Sequence, residues 1–136
     1  IFINNNGINQ VITPIYKLKK EAIFNENVVK LVLNHRKQVL YFSRSPIPFV
    51  RGIDKQKWNE KIDFWGHVGI YGYRADILYD WKKYKISNLE LIEKLEQLRL
   101  IESGIVFDTF LVEGDFLSVD TEPQLYDAIE IAKRIN

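Results

Sequence analysis

Hydrophobic positions along the chain fall into short β-rich runs separated by polar or helical stretches. Residues 28–33 and 39–42 are rich in β-branched and aromatic side chains and are joined by a polar pentapeptide, which predicts a hairpin. Residues 11–15 predict a short strand that either ends at Pro14 or continues past it at a sheet edge. Two further β-rich runs predict strands, at residues 67–74 and 105–112.

The helix predicted to begin at Ser87 carries charges at its apolar side. Ser87 and Glu90 form a capping box, and the helix is expected to run to about Ile101. At 100° per residue, one apolar face comprises Leu91, Ile92, Leu95 and Leu98. Arg99 falls inside that face and Glu96 lies at its edge. A charge turned toward a core is costly unless it is paired or faces a polar cavity, so this helix is predicted to contribute to a site.

A last helix is predicted after a second capping box, from Thr121 to Gln124. Its apolar residues recur at helical spacing: Leu125, Ala128, Ile129 and Ala132. Residues 75–84 predict a short helix. Because predicted strands and helices alternate, the fold class is α/β, organised as one domain or part of one.

Composition limits the classes of function. The chain has 136 residues, of which 46% are hydrophobic, so it can bury a core. Its 19 basic and 18 acidic residues argue against a nucleic-acid binder that relies on a basic field. No apolar run reaches the ~20 residues that span a bilayer, and no membrane association is expected. Cysteine is absent, which excludes thiolate metal sites and makes a cytoplasmic location the simplest expectation. Methionine is absent too, so we expect a further N-terminal segment.

Several polar residues are candidates for chemistry, each with a structural alternative. Asp120 directly precedes the Thr121 cap, where it either stabilises the helix N-terminus or binds Mg²⁺ with a second carboxylate from elsewhere. His67 lies in a glycine-flanked strand, where a lone histidine is more often structural than catalytic. Arg44 ends a predicted strand and is either a surface residue or a clamp for a carboxylate or phosphate. Gln97 lies opposite the apolar stripe and is predicted to be exposed.

Five motifs occur in a specific order, and together they resemble one family. They are YFSRSPIP at residues 41–48, HVGIYGYR at 67–74, SNLE at 87–90, LEQLR at 95–99 and VDT at 119–121. The set resembles the C-terminal half of the 3-deoxy-manno-octulosonate (Kdo) cytidylyltransferases, the CMP-Kdo synthetases of Gram-negative bacteria. The resemblance runs from about Val11 to the C-terminus. It implies a nucleotide-diphospho-sugar transferase-like, Rossmann-like mixed sheet with flanking helices.

The resemblance implies nucleotidyl transfer from CTP to Kdo, giving CMP-Kdo and pyrophosphate for lipopolysaccharide biosynthesis, with Mg²⁺ as cofactor and a homodimer as the assembly. It also implies roles for individual residues. Arg44 pairs with the Kdo carboxylate or hydroxyls, His67 and Tyr71 line the sugar pocket, Glu96 and Gln97 bind sugar hydroxyls, and Asp120 is a Mg²⁺ ligand with a catalytic role. Arg99 belongs to a matching motif, and we expect it to form an ion pair that supports Glu96.

The sequence also departs from the family. The basic glycine-containing loop and the Gly-Asp-Glu-Pro-like segment of the family's N-terminal half do not occur, and Asn88 stands where proline is common. Residues 1–136 are therefore predicted to form the sugar-binding and dimerisation half of a single cytidylyltransferase domain that lacks its CTP-binding half and is not active alone. The alternatives are a CTP-dependent synthetase for another acidic sugar and a non-catalytic sugar-acid-binding or interaction domain.

Overall fold

The computed structural model describes residues 3–4, 7–8, 10–114 and 122–135. The strands are β1 (Ile3–Asn4), β2 (Gly7–Ile8), β3 (Val11–Lys17), β4 (Lys30–Leu33), β5 (Val39–Ser43), β6 (Trp65–His67), β7 (Gly72–Tyr73) and β8 (Phe107–Leu111). The α-helices are α1 (Ala75–Tyr79), α2 (Asn88–Glu93), α3 (Leu98–Glu102) and α4 (Glu122–Ile135). Short 3₁₀ helices lie at Lys20–Ala22, Lys55–Glu60 and Trp81–Lys83. Among the described residues, no helix has the length and apolar character needed to cross a membrane.

A mixed sheet organises the fold. Its strand order is β5-β4-β6-β3-β7, and β8 pairs with β3 in parallel while the other pairings are antiparallel. The predicted hairpin is confirmed as β4 and β5. The chain just before β5 returns to β8, because Gln38 forms an isolated bridge with Asp108 and donates from its Nε2 to the Asp108 carboxylate at 3.1 Å. This mixed sheet with flanking helices confirms the predicted α/β class.

Strand β3 passes through Pro14 inside the sheet, which corrects the expectation that it would end there or lie at an edge. Strand β6 ends opposite Ile15 and β7 begins opposite Ile12, so residues 68–71 interrupt the antiparallel ladder. The Pro14 carbonyl points to this interruption, where it accepts from the Val68 N–H at 3.1 Å. Because the ladder is already broken there, the missing proline N–H removes no hydrogen bond from it.

The expected continuous helix over residues 87–101 is wrong. Helix α2 ends at Glu93, its C-cap Lys94 adopts the left-handed conformation (φ 53°, ψ 51°), and α3 begins only at Leu98. Because the helix is broken, residues after Lys94 do not follow the 100° spacing of one helix. The exposure predicted from that spacing is therefore wrong for several side chains. Leu91 is 63% exposed although it was assigned to the apolar face, whereas Gln97, predicted to be exposed, is only 4% exposed. The cap itself is confirmed, since the Ser87 hydroxyl accepts from the Glu90 N–H at 3.1 Å.

The core consists of two clusters, and the larger one holds residues 95–97 against the sheet. The larger cluster packs three leucines with the sheet residues Phe42 and Phe107: Leu95 from the turn before α3, and Leu98 and Leu100 from α3. The smaller cluster comprises Leu18, Ile23, Trp58 and Phe64. Burial of the three leucines draws residues 95–97 against the sheet, which places Glu96 and Gln97 next to the interrupted ladder.

Candidate functional site

The interruption between β6 and β7 presents a small polar centre built on Thr13. The Thr13 hydroxyl donates to the Ile70 carbonyl at 2.8 Å, and His67 Nε2 lies 3.0 Å from the same oxygen. Because a hydroxyl has only one hydrogen, this arrangement assigns a hydrogen to His67 Nε2, which donates to Thr13. His67 Nδ1 is then an acceptor, and it makes no hydrogen bond to any residue that the structure describes.

His67 is held in place by aromatic neighbours. Its ring centroid lies 5.0 Å from that of Phe42, edge-on, and 5.0 Å from that of Tyr71. Burial lowers the pKa of His67 to about 4, so the ring is neutral at neutral pH. A fixed neutral imidazole of this kind can accept a hydrogen bond from a ligand hydroxyl but does not serve as a cation for an acid group.

Two tyrosines extend this aromatic surface toward Glu96. The rings of Tyr71 and Tyr73 are 5.5 Å apart. Burial raises the pKa of Tyr71, with Tyr73 and the Glu96 carboxylate adding to the effect. Burial together with Glu96 raises the pKa of Tyr73 to about 12. Both phenols therefore stay protonated and can donate hydrogen bonds, while the exposed Glu96 supplies an acceptor beside them.

Gln97 presents its amide at the edge of the cluster. The residue is only 4% exposed, and its side chain makes no hydrogen bond to a described residue. Because no buried side-chain nitrogen or oxygen of the described residues lacks a partner, the amide atoms of Gln97 reach solvent. Its main-chain carbonyl accepts from the N–H groups of Leu100 and Ile101, both at 3.2 Å, which fixes its position at the start of α3. The donors and acceptor of this solvent-accessible amide are available to a bound polar ligand.

Arg44 follows β5 directly, as predicted, and is held from two sides. Its Nε donates to the Glu93 main-chain carbonyl at 2.8 Å, and its Nη1 donates to the Glu26 carbonyl at 3.1 Å. Its Nη2 makes no hydrogen bond to a described residue. The guanidinium is thus oriented by neutral carbonyls, which leaves its charge available for an anion.

Lys30 and Glu93 lie around Arg44 and were missed by the sequence analysis. Lys30 is fully buried, and its Nζ donates to the carbonyls of Asn25 and Val28 at 2.8 and 2.6 Å. Burial lowers the pKa of Lys30 to about 8, and the Arg44 charge contributes to that decrease. A lysine in the middle of the apolar run at residues 28–33 was the available signal, because an unpaired buried ammonium is rare.

Arg99 has a different ionic partner from the one expected. Its Nε donates to Glu90 Oε2 at 2.7 Å, its Nη2 contacts the other oxygen of that carboxylate, and its guanidinium lies over the Trp81 ring at 5.4 Å. The expected ion pair with Glu96 is therefore wrong. Because the chain turns at Lys94, α3 packs back on the first turn of α2 and brings Arg99 to Glu90.

The structure brings His67, Tyr71 and Glu96 into one cluster, with Gln97 next in the chain. Arg44 is bonded to Glu93, which precedes Glu96 by three residues. Asp120 lies outside the described residues, so its predicted role is not placed. Within the described ranges, no group of three or more His, Asp or Glu side chains could hold a metal ion.

An open groove of about 600 Å³ lies elsewhere, along β4, between Leu31, His35, Pro48 and Trp65. It contains none of the residues that the sequence analysis named as site residues. The polar cluster at the interrupted ladder therefore remains the candidate site, because it combines a fixed neutral imidazole, two protonated phenols and the Glu96 carboxylate.

Comparison with known families decides the class of protein. The profile of the cytidylyltransferase family matches residues 2–110, which is most of the chain. The chain belongs to the cytidylyltransferase family. All of the candidate site residues except Asp120 lie within the matched part of the chain.

Relatives of the chain are named more specifically than the family is. The 3-deoxy-manno-octulosonate cytidylyltransferase of Rickettsia prowazekii is 39% identical over 131 residues, which cover 96% of this chain and 49% of the relative. That of Thermodesulfovibrio yellowstonii is 42% identical over 112 residues, covering 79% of this chain and 42% of the relative. The resemblance stated from the motifs is confirmed. The chain spans about half the length of the curated relatives it matches.

A solved structure shows the same fold. The CMP:2-keto-3-deoxy-manno-octonic acid synthetase, whose structure is complexed with CTP, superposes with a TM-score of 0.83 at 36% sequence identity. The superposition covers 94% of this chain and 51% of that one. The chain therefore has the fold of a nucleotide-sugar transferase, as the resemblance implied.

Proposed function

We propose that this chain forms the sugar-acid-binding half of a Kdo cytidylyltransferase, which transfers CMP from CTP to Kdo and releases pyrophosphate. The observation that carries the proposal is the cluster of His67, Tyr71 and Glu96, with the amide of Gln97 next in the chain. This cluster offers several donors and acceptors within one small area of the surface. Such a set matches a polyhydroxylated sugar better than an apolar or purely ionic ligand.

Arg44 is proposed to bind the carboxylate of the sugar acid. A guanidinium forms strong charge-assisted hydrogen bonds with carboxylates. Neutral carbonyls hold Nε and Nη1 of Arg44, and Nη2 has no hydrogen bond to a residue that the structure describes. Glu96 and Gln97 are proposed to bind sugar hydroxyls. His67 would accept from a hydroxyl through Nδ1, and Tyr71 would donate to one through its phenol.

Nucleotidyl transfer depends mainly on the position of the reactants and on charge neutralisation. In the proposed reaction the anomeric hydroxyl of Kdo attacks the α-phosphate of CTP, and pyrophosphate leaves. The residues of this chain would hold the sugar so that its anomeric oxygen faces the nucleotide. They would also keep the carboxylate of the sugar acid paired, so that its charge does not repel the triphosphate.

Mg²⁺ is proposed as the cofactor, with Asp120 as one ligand. The described residues provide no metal site of their own, so the remaining ligands would come from other groups, including phosphate oxygens. When bound, the ion neutralises charge on the phosphates. We expect Asp120→Asn to abolish Mg²⁺-dependent pyrophosphate release with little change in thermal unfolding. Retained turnover would remove Asp120 from the metal site.

A homodimer, which the resemblance implies, and a cytoplasmic location, which the absence of cysteine favours, complete the proposal. No nucleic-acid or membrane partner is proposed, because the near-balanced charge and the lack of a long apolar run give no support for either. Light scattering of the purified protein would test the dimer, and a monomeric mass would contradict it.

The proposed activity is tested by pyrophosphate release from CTP and Mg²⁺ with and without Kdo. The assay uses the polypeptide that the complete reading frame encodes. We expect release that depends on Kdo and exceeds that with an 8-amino analogue of Kdo or a nonulosonic acid. Release with another acidic sugar alone would favour a different synthetase. Binding of Kdo without any pyrophosphate release would favour the non-catalytic alternative.

A further inference from the structure

Glu93, the last residue of α2, is bound to the end of β5 by three hydrogen bonds. The Ser43 hydroxyl donates to its Oε1 at 2.6 Å, and the Arg44 main-chain N–H donates to its Oε2 at 2.9 Å. Its main-chain carbonyl accepts from Arg44 Nε at 2.8 Å. One residue thus holds both the backbone and the side chain of Arg44.

These bonds orient the guanidinium without neutralising it through a direct ion pair. The Glu93 carboxylate is occupied by the Ser43 hydroxyl and the Arg44 main chain, while only its carbonyl receives the guanidinium. The Glu26 carbonyl holds Nη1 from the other side. An arginine fixed in this way loses less conformational entropy when it binds an anion, because its rotamer is already selected.

The same residue links Arg44 to the neighbouring Glu96 and Gln97. Lys94 follows Glu93 in the left-handed conformation, and Leu95 is buried in the main core at 5% exposure. Glu96 and Gln97 come next. The chain between the anchor at Glu93 and these two residues is therefore short and fixed at both ends, so the anchor sets the spacing between Arg44 and the Glu96 segment.

We propose that Glu93 is a positioning residue that sets the orientation of Arg44 and its distance from Glu96 and Gln97 for binding of the sugar acid. This inference rests on the proposed function, in which Arg44 binds the carboxylate of Kdo. Glu93 acts through hydrogen-bond acceptors rather than through contact with substrate. Glutamine can keep both bonds, because the Ser43 hydroxyl can turn to accept from the amide, whereas alanine removes both acceptors.

The test measures KM for Kdo and for CTP in the polypeptide from the complete reading frame. Glu93→Ala is expected to raise the KM for Kdo by about tenfold or more, with little change in the KM for CTP. Glu93→Gln is expected to stay close to the wild type. Glu60→Ala, which changes an exposed glutamate on the 3₁₀ helix Lys55–Glu60, is the matched control and should change neither constant.

A double-mutant cycle with Arg44→Ala separates positioning from general destabilisation. Arg44→Ala alone should raise the KM for Kdo, and adding Glu93→Ala should raise it no further. Effects that multiply, or a Glu93→Gln variant as impaired as Glu93→Ala, would overturn the positioning role. If Arg44→Ala leaves the KM for Kdo unchanged, it is the proposed role of Arg44 that fails.

A second variant covers the case in which Glu93→Ala does not fold. Ser43→Ala removes one of the two donors that fix the carboxylate and leaves the Arg44 N–H bonded. It should raise the KM for Kdo in the wild-type background and leave it unchanged in the Arg44→Ala background. An unchanged KM for Kdo in the wild-type background would overturn the proposal.

Discussion

At the scale of single residues, His67 shows how the fold prepares a polar group for a ligand. Thr13 fixes its Nε2, Phe42 and Tyr71 fix its ring, and burial keeps the ring neutral. A lone histidine in a strand is more often a structural residue than a catalytic one. His67 is structural in its contacts, but its Nδ1 remains unused by the described residues, and that atom is the part available to a sugar hydroxyl.

The neutral state of His67 predicts a pH dependence of stability. The unfolded chain takes up a proton near the ordinary pKa of 6.5, while the folded protein resists protonation until the pH reaches about 4. The unfolded state therefore binds more protons between these values, and the free energy of unfolding falls as the pH is lowered through this window. The loss is on the order of 3 kcal/mol.

Urea unfolding at several pH values between 6.5 and 4 measures this dependence. His67→Asn should flatten the slope of stability against pH, whatever its effect on absolute stability. His35→Asn, at an exposed turn, is the control and should keep the wild-type slope. Equal slopes for the wild type and His67→Asn would show that His67 titrates in the folded state as it does in the unfolded one.

At the scale of elements, the joint between α2 and α3 depends on a buried ion pair. The side chains of Arg99 and Glu90 are 14% and 9% exposed. Arg99→Met leaves the Glu90 carboxylate buried without its partner, so the free energy of unfolding should fall by about 3 kcal/mol. Addition of Glu90→Gln to that variant should recover part of the loss, because the unpaired charge is then removed.

Lys83→Met provides the comparison for this prediction. Its ion pair with Asp80 is largely exposed, at 75% and 43% of the two side chains, and exposed pairs contribute little. Chemical denaturation of both variants measures the difference. A loss for Arg99→Met no larger than that for Lys83→Met would contradict the view that the buried pair holds the two helices together.

The break between α2 and α3 also shows which local features the sequence predicts and which it does not. The capping box at Ser87 and the hairpin of β4 and β5 were predicted, because side-chain spacing and β-rich composition determine such local features. The left-handed turn at Lys94 was not, because neither glycine nor asparagine marks it. Burial of Leu95 and Leu98 favours the break over a continuous helix. Because of this tertiary effect Gln97, which the sequence predicted to be exposed, is only 4% exposed.

The candidate site shows the same division. Arg44, His67 and Tyr71 were named from the sequence, and the structure places Arg44 at a strand end, as predicted, and the two rings at the interrupted ladder. Glu93 and Lys30 escaped notice because their roles depend on contacts across the sheet. The roles of all these residues in binding remain predictions.

At the scale of the whole molecule, the chain supplies one side of a proposed two-substrate reaction. The residues proposed to bind the sugar acid lie on the mixed sheet and on the segment between α2 and α3, within the region that the structure describes. The proposed metal ligand lies outside that region, and groups for the nucleotide would come from elsewhere. The residues that the structure describes are therefore proposed to bind the sugar acid rather than CTP.

The most direct test of that claim is the KM for Kdo of a Gln97→Met variant in the pyrophosphate-release assay, with the polypeptide of the complete reading frame. Methionine keeps the length of the buried side chain and removes its amide. The account predicts a KM for Kdo raised by about tenfold or more, with an unchanged KM for CTP and little change in thermal stability. An unchanged KM for Kdo would contradict the assignment of this cluster as the sugar-acid site.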